Sequence, residues 1–299
     1  MRSNPMPMVY EPTNSMETNM TIPVNGVPIF TRRAGQSQKA IIFIHGGLQS
    51  SAVWDQQLKD ELLLEQFSLV ALDLPGHGRS GRSAEPEKDY SLQGMARQLA
   101  ACINDMPWKQ YLLVGLSSGT NLISEALPLL SVPPSGLFFA GASITGRQAP
   151  LHALLLSSPY KQVLAPSPPS DAALTAYSRS LVYHASDQFI AGFKQCYHDT
   201  DPGFRTVFGQ YLEDGRPEEH DHIDGIAQSQ LPVCFVMGQQ ETVIRTNYLD
   251  EISFRRKWKD TVFKVPAAGH LVNYDQPQIF NHLLLQFADE VMGHRKSER

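Results

Sequence analysis

The sequence predicts an α/β fold: a mostly parallel sheet with helices on both faces and a helical segment inserted late in the chain. Short, continuously apolar runs carry the first part of that reading. AIIFIHGG (Ala40 to Gly47), FSLVALDLP (Phe67 to Pro75) and PVCFVMG (Pro232 to Gly238) have the composition of strands covered on both faces. Between such runs lie stretches with helical apolar spacing, the alternation expected of helices packed on a parallel sheet. From about Ser143 to Asp224 the alternation weakens, and the excursion is too long for a simple loop. A chain of 299 residues with 42% hydrophobic content suits one large core carrying an insertion.

Taken in order, residues 1–21 hold several Pro and Asn and no long apolar run. They lack the basic-then-apolar order of a secretory signal and are expected to form a flexible leader, with Val9 and Tyr10 able to dock on the body. Residues 22–34 read as a β segment or hairpin turning at Asn25-Gly26. The strand entering Gly47 is followed by a loop and a helix around Trp54 to Glu65. The strand ending at Pro75 gives way to GHGRSGRS, a glycine-rich excursion that is no ordinary strand. LQGMARQLAACINDM, after Ser91, has helical spacing. YLLVGLSSGTNLISEALPLL then runs from strand through a serine turn into a helix, until Pro128 interferes. GLFFAGAS, PVCFVMG and TVFKVPAAG supply further strands.

These elements divide the chain into a core of residues 22–142 and 225–292, a helical cap of residues 143–224 and a polar tail of residues 293–299. Within the cap, LHALLLSS, the region Asp171 to Ala191 and FRTVFGQYL read as short helices. Laid over the carboxyl ends of the strands, they would shield a site from water and shape its pocket. A merely structural insertion is the alternative.

Lys plus Arg total 25 against 30 Asp plus Glu, a formal net charge of -5. That balance argues against a broad nucleic-acid surface and leaves the substrate open. No apolar stretch approaches a membrane span, so no membrane insertion is expected. Cys102, Cys196 and Cys234 form neither a paired framework nor a metal cluster, and they read as small core residues in a cytoplasmic protein. Oligomerisation is left possible.

The chemistry centres on Gly115-Leu116-Ser117-Ser118-Gly119. A nucleophile at the tip of a strand-to-helix turn needs close backbone packing on both sides, which the two glycines permit. The positive end of the following helix favours the negative charge that develops during attack. Preceded by YLLV and followed by a plausible helix, the motif points to Ser117 as nucleophile, with Ser118 the poorer choice. A serine hydroxyl needs a base. His270, in PAAGHLVNYDQP just past the last strand, fills that role. Glu241 ends VCFVMGQQE, placing a carboxylate past a strand to orient the imidazole. Asp275 lies too near His270 in sequence to be preferred and is expected to cap the following helix. Oxyanion donors are expected from the Ser118 amide and from the HGG loop, with Gly47 favoured over Leu48.

With DLPGHGRS between them, these pieces resemble the cap-bearing branch of the α/β-hydrolase superfamily, which includes esterases, lactonases, epoxide hydrolases and haloalkane dehalogenases. The resemblance covers about residues 27–141 and 226–290. It implies the α/β-hydrolase fold, Ser117 as nucleophile, Glu241 as acid and His270 as base, in the chain order of that class. His45-Gly46-Gly47 matches its oxyanion loop, and DLPGHGRS matches a structural loop near the mouth, so His77 is not promoted to catalysis. Glu241 stands where many relatives have Asp. Ser117 stands where the epoxide and haloalkane branches use Asp, which argues against an aspartyl-ester mechanism.

The resulting expectation is a cofactor-free and metal-free serine hydrolase acting on a small-molecule ester or lactone through an acyl-enzyme. N-acylhomoserine lactone, amide and carbon–carbon bond hydrolysis remain alternatives, as does a noncatalytic small-ligand receptor on the same fold. Leu48, Trp54, Tyr177, Tyr183 and Tyr211 are candidates to line the pocket, although Trp54 would equally seal its helix against the sheet. PEEHDHID (Pro217 to Asp224) invites a metal reading but lacks a recognised ligand spacing and reads as a solvated cap exit. FRRKWK (Phe254 to Lys259) reads as the polar end of a helix with Trp258 packed beneath it.

Overall fold

The computed structural model describes residues 17–156, 163, 168–214 and 221–293, with the side chains of 212–214 left out. Val9, Tyr10, most of the leader, the tail after Gly293 and the Pro217 to His220 part of PEEHDHID lie outside the described residues.

Eight strands form one sheet in the order β1-β2-β4-β3-β5-β6-β7-β8. β1 (Thr18–Val24) and β2 (Val27–Ala34) make an antiparallel hairpin. Asn25 and Gly26, both at positive φ, supply its two-residue turn. The first strand therefore begins inside the expected leader, four residues before Ile22. β2 pairs antiparallel with β4 (Ser68–Leu72), and every later pairing is parallel. β3 (Lys39–Ile44), β5 (Gln110–Leu116), β6 (Gly136–Ala140) and β7 (Val233–Gly238) occupy the middle, where almost every residue is buried. That is why they read as unbroken apolar runs rather than alternating ones.

β8 (Lys257–Val265) corrects one expectation. FRRKWK runs into this outer strand and not into a helix end. Trp258 is buried as expected, against Phe263 and Phe287, and its Nε1–H donates to Glu290 Oε2 (2.7 Å). The edge position explains the misreading: buried Trp258 is flanked by Lys257 and exposed Lys259, and charge on an edge strand resembles a solvated helix face.

The helix expected around Trp54 to Glu65 is broken into a 3-10 turn (Ser51–Trp54) and two short helices, Asp55–Leu58 and Glu61–Gln66. Asp60 caps the second by accepting from Leu63 N (3.0 Å). Leu92–Asn104 is one helix capped by Ser91, as its spacing predicts. The last helix, Pro277–Met292, closes the opposite face with Phe280, Leu284 and Phe287 fully buried.

Between β6 and β7 the chain leaves the sheet. Helices Leu151–Leu154, Asp171–Ser180, Asp187–Asp199 and Pro202–Asp214 make up most of this inserted region. The chain returns through His222–Gln228, where buried His222 sits 2.8 Å from Glu125. No helix among the described residues is long and apolar enough to cross a membrane.

Candidate active site

Every group of the site sits on a loop at the carboxyl end of a parallel strand, where an open α/β sheet has its crevice. Ser117 lies between the end of β5 and the helix Ser118–Ala126, at φ 53° and ψ -128°. A non-glycine residue costs about 1–3 kcal/mol in such a conformation and persists only where its surroundings enforce it. The two motif glycines are part of that enforcement. A Cβ on Gly119 would meet the carbonyl oxygens of His45 and Ile44 at 2.7 and 2.8 Å, and one on Gly115 would meet Ile123 Cδ1 at 2.8 Å. The serine turn is thus pressed directly against the end of β3.

Glu241 and His270 form a buried pair. His270 Nδ1 lies 2.7 Å from Glu241 Oε2, and both side chains are almost wholly removed from solvent. A carboxylate only accepts, so Nδ1–H is the donor of this bond. The other carboxylate oxygen accepts from Val243 N (2.7 Å) and Ile244 N (3.3 Å), which fixes the Glu241 rotamer. The extra methylene of Glu relative to Asp is absorbed by this tight turn after β7.

Gly141, at φ 50°, brings the imidazole and the serine turn to the same strand end. A Cβ there would lie 3.1 Å from His270 Nδ1 and Cε1 and 2.8 Å from its carbonyl oxygen. The preceding residue, Ala140, accepts from Ser117 N (3.0 Å). Gly238 has a matching role, because a Cβ on it would clash with the Ala268 and Gly269 carbonyl oxygens at 2.3 and 2.1 Å. Among the described residues no hydrogen bond joins the Ser117 hydroxyl to His270. Such contacts are often long in unliganded sites and tighten when substrate is bound.

The HGG loop is held by a fully buried histidine. His45 Nε2 accepts from Leu74 N (2.9 Å), so its Nδ1–H donates to Gly46 O (2.7 Å). Full burial lowers its pKa to about 4, which keeps it neutral and able to accept. His77 is lowered further, to about 3, by burial and by the neighbouring His45. It lies edge-on to Phe204 and belongs to the packing of the DLPGHGRS loop. In that loop Asp73 accepts from Ser51 N (2.6 Å) and Arg79 N (2.7 Å).

A cavity of about 270 Å³ opens over Ser117. Gly47, Leu48, Ser118, Tyr177 and Tyr211 all lie on its wall. Trp54 does not. It is fully buried between Phe43 and Phe280, so of its two possible places it takes the one that seals the helix on the sheet. Tyr183 is also absent from the wall: it is 44% exposed and packs on His184. Cavity-lining residues that the sequence reading overlooked include Met95, Asn121, Phe204 and Phe208. The spacing of Phe204, Phe208 and Tyr211 along one helix face was the available signal. Phe204 and Phe208 stack with ring centroids 5.3 Å apart, and a Cβ on Gly47 would lie 3.4 Å from the Phe208 ring.

The inserted region is tied to the loops bearing Glu241 and His270. Thr242 Oγ1 donates to Ser180 O (2.7 Å), and Leu271 N donates to Leu181 O (2.9 Å). Asp275 corrects an expectation. It caps no helix: its Oδ2 accepts from Gly269 N (2.8 Å) and Tyr183 N (2.9 Å), joining the His270 loop to the cap. Partial burial pushes its carboxyl above the usual range despite those bonds. No cluster of three or more metal-ligating side chains occurs among the described residues.

A model of the alpha/beta hydrolase family matches residues 41–283, and the chain belongs to that family. It is 26% identical over 265 residues to Esterase Rv0045c of Mycobacterium tuberculosis, covering 82% of this chain and 81% of the relative. Among solved structures, it superposes on a mutant of the N-acyl homoserine lactonase AidH complexed with N-hexanoyl homoserine lactone. That match has a TM-score of 0.80 and 22% identity, and covers 93% of this chain and 100% of the other. The esterase EaEST from Exiguobacterium antarcticum gives a TM-score of 0.71 with 16% identity, covering 91% of this chain and 100% of the other.

Proposed function

We propose that this protein is a serine hydrolase that cleaves a carboxylic ester or lactone of a small organic substrate through an acyl-enzyme. The observation that carries this reading is the buried Glu241–His270 pair at 2.7 Å, set beside a serine turn whose backbone is held at positive φ. A buried histidine with its Nδ1–H committed to a carboxylate has Nε2 left for proton transfer. A solvent-facing loop histidine would need no such partner. The relatives named as esterases and as a lactonase favour this chemistry over the noncatalytic receptor.

In the reaction, Ser117 Oγ attacks the substrate carbonyl carbon as its proton passes to His270 Nε2. Glu241 supports the charged imidazolium. Amides of Gly47 and Ser118 stabilise the tetrahedral oxyanion. Collapse breaks the carbon–oxygen bond, and His270 gives its proton to the departing alkoxide. Water then attacks the acyl-enzyme with His270 as base, releasing the acid and restoring Ser117. A lactone differs only in that the alcohol stays tethered to the acyl group throughout, so that water releases a single hydroxy acid. Residues 143–224 act as the cap over this site, and the wall of Leu48, Val207, Phe208 and Ile244 suits an apolar acyl chain or ring better than a charged one.

A panel of short esters, long esters, lactones and anilides, assayed with wild type and Ser117→Ala, tests the proposal. Turnover of esters or lactones that disappears in the variant is expected. Full ester turnover by Ser117→Ala would remove Ser117 from the mechanism. Binding without turnover, unchanged by the substitution, would make the protein a receptor.

A further inference from the structure

Each amide near the serine turn has a definite partner or lacks one. Gly46 N donates to Gln49 Oε1 (3.1 Å), so that amide is committed to the loop. Gly47 N donates to the side-chain Oγ of Ser118 (2.8 Å), across 71 residues of sequence. Ser118 N opens the first turn of its helix and has no acceptor among the described residues, as expected of a first-turn amide. Of the two amides assigned to the oxyanion, one already holds an acceptor. That acceptor belongs to the same residue as the other amide.

We infer that the Ser118 hydroxyl is a resident occupant of the oxyanion hole, standing where the substrate's carbonyl oxygen must sit and leaving by rotation about χ1 when substrate arrives. This inference rests on the acyl-transfer reading above. Gly47 has one N–H proton and gives it fully to one acceptor at a time. An oxygen bound by both Gly47 N and Ser118 N must therefore displace Ser118 Oγ. The hydroxyl caps nothing in its own helix, and the residue borders the cavity, so rotation breaks no other hydrogen bond among the described residues. The hydroxyl supplies an acceptor for a half-buried amide. The consequence is a competition. Substrate, and more strongly a tetrahedral mimic, exchanges one hydrogen bond for another instead of gaining one outright, and its apparent affinity falls by the fraction of enzyme that is open.

The test uses the full-length protein and an alkylboronic acid. Its trigonal boron accepts the electron pair of Ser117 Oγ while the serine proton passes to His270. One boron hydroxyl then lies in the oxyanion hole. Ser118→Ala should bind the boronic acid roughly threefold to tenfold more tightly than wild type, the range expected when one competing hydrogen bond is removed. In ester turnover the same variant should lower KM more than it changes kcat. Ser118→Gly should shift binding in the same direction, which guards against a misfolded alanine variant. Ser118→Thr keeps the hydroxyl and should bind no tighter than wild type. Unchanged or weaker binding by both Ser118→Ala and Ser118→Gly would overturn the inference, a clear weakening meaning that the hydroxyl helps to hold the oxyanion. Ser117→Ala separates the two levels of argument: if it binds the boronic acid as well as wild type does, the acyl-transfer reading itself fails, and this inference with it.

Discussion

The loops at the strand ends and the helices laid over them are built on different principles. Beneath, geometry is enforced by backbone touching backbone: Gly119 on the His45 carbonyl, Gly141 on the His270 carbonyl, Gly238 on the Ala268 and Gly269 carbonyls. No larger residue fits at those contacts without moving a chain. Above, the wall of the cavity is made by side chains, with Phe204 and Phe208 stacked and Tyr177 lying edge-on to Phe193. Side chains repack where backbones do not. The lower layer should therefore fix the reaction, and the upper layer the choice of substrate.

The sharpest way to break that division is to remove a reacting group from the lower layer. Ser117→Ala should lower kcat for a preferred ester by roughly 10³-fold or more, with unfolding temperature nearly unchanged. Glu241→Gln should cost on the order of 10²- to 10⁴-fold in kcat, because an amide no longer selects the imidazole tautomer. An undiminished rate in Glu241→Gln would mean that another carboxylate serves the base. Gly141→Ala tests enforcement by the backbone. The added methyl meets the His270 carbonyl and ring, and the φ of 50° is strained for alanine. A loss of about 1–3 kcal/mol in urea unfolding and a fall in kcat should appear together. A fully active, fully stable variant would show that the contact is soft.

In the upper layer the effect should be smaller and of another kind. Phe208→Ala should change kcat/KM for a short ester by less than about tenfold while shifting preference toward bulkier acyl groups. A uniform loss across all chain lengths would instead tie the ring to the chemistry below it.

Two buried histidines beside the site, His45 and His77, should also decide what acid does to stability. His45 and His77 are neutral when folded, with pKa values pressed by burial to about 4 and about 3 from the usual 6.5. Below 6.5 the unfolded chain takes up protons that these two refuse, so their contribution to stability is full above that pH. It is lost progressively as pH falls toward 4 and then 3. The melting temperature should decline along that window. His77→Leu should flatten the decline by removing the more strongly shifted group, and an identical slope in that variant would contradict the assignment.

How much the sequence disclosed follows the same division. Buried parallel strands appear as apolar runs because both faces are covered, so the five strands β3 to β7 and the serine turn were readable from composition and glycine spacing, and Asn25-Gly26 marked the β1–β2 hairpin. The edge was read only in part: TVFKVPAAG marked the second half of β8, while the charges of Lys257 and Lys259 made its first half look like a helix end. The groups at positions 117, 241 and 270 could be named because each follows a strand. The hydrogen bonds that hold the surrounding loops could not. Nothing local in the sequence says that His45 accepts from Leu74, or that Asp275 reaches Tyr183 rather than its own helix. The cap was least legible, since its aromatic wall depends on which face of each helix turns inward.

The central claim concerns one hydroxyl, and covalent capture tests it most directly. Wild type, Ser117→Ala and His270→Ala would each be treated with a fluorophosphonate, digested and examined by peptide mass spectrometry. The account predicts a single phosphonyl adduct on the peptide at Ser117 in wild type, no adduct there in Ser117→Ala, and a greatly slowed reaction in His270→Ala. Rapid stoichiometric labelling of a different residue, with ester turnover surviving in Ser117→Ala, would contradict it.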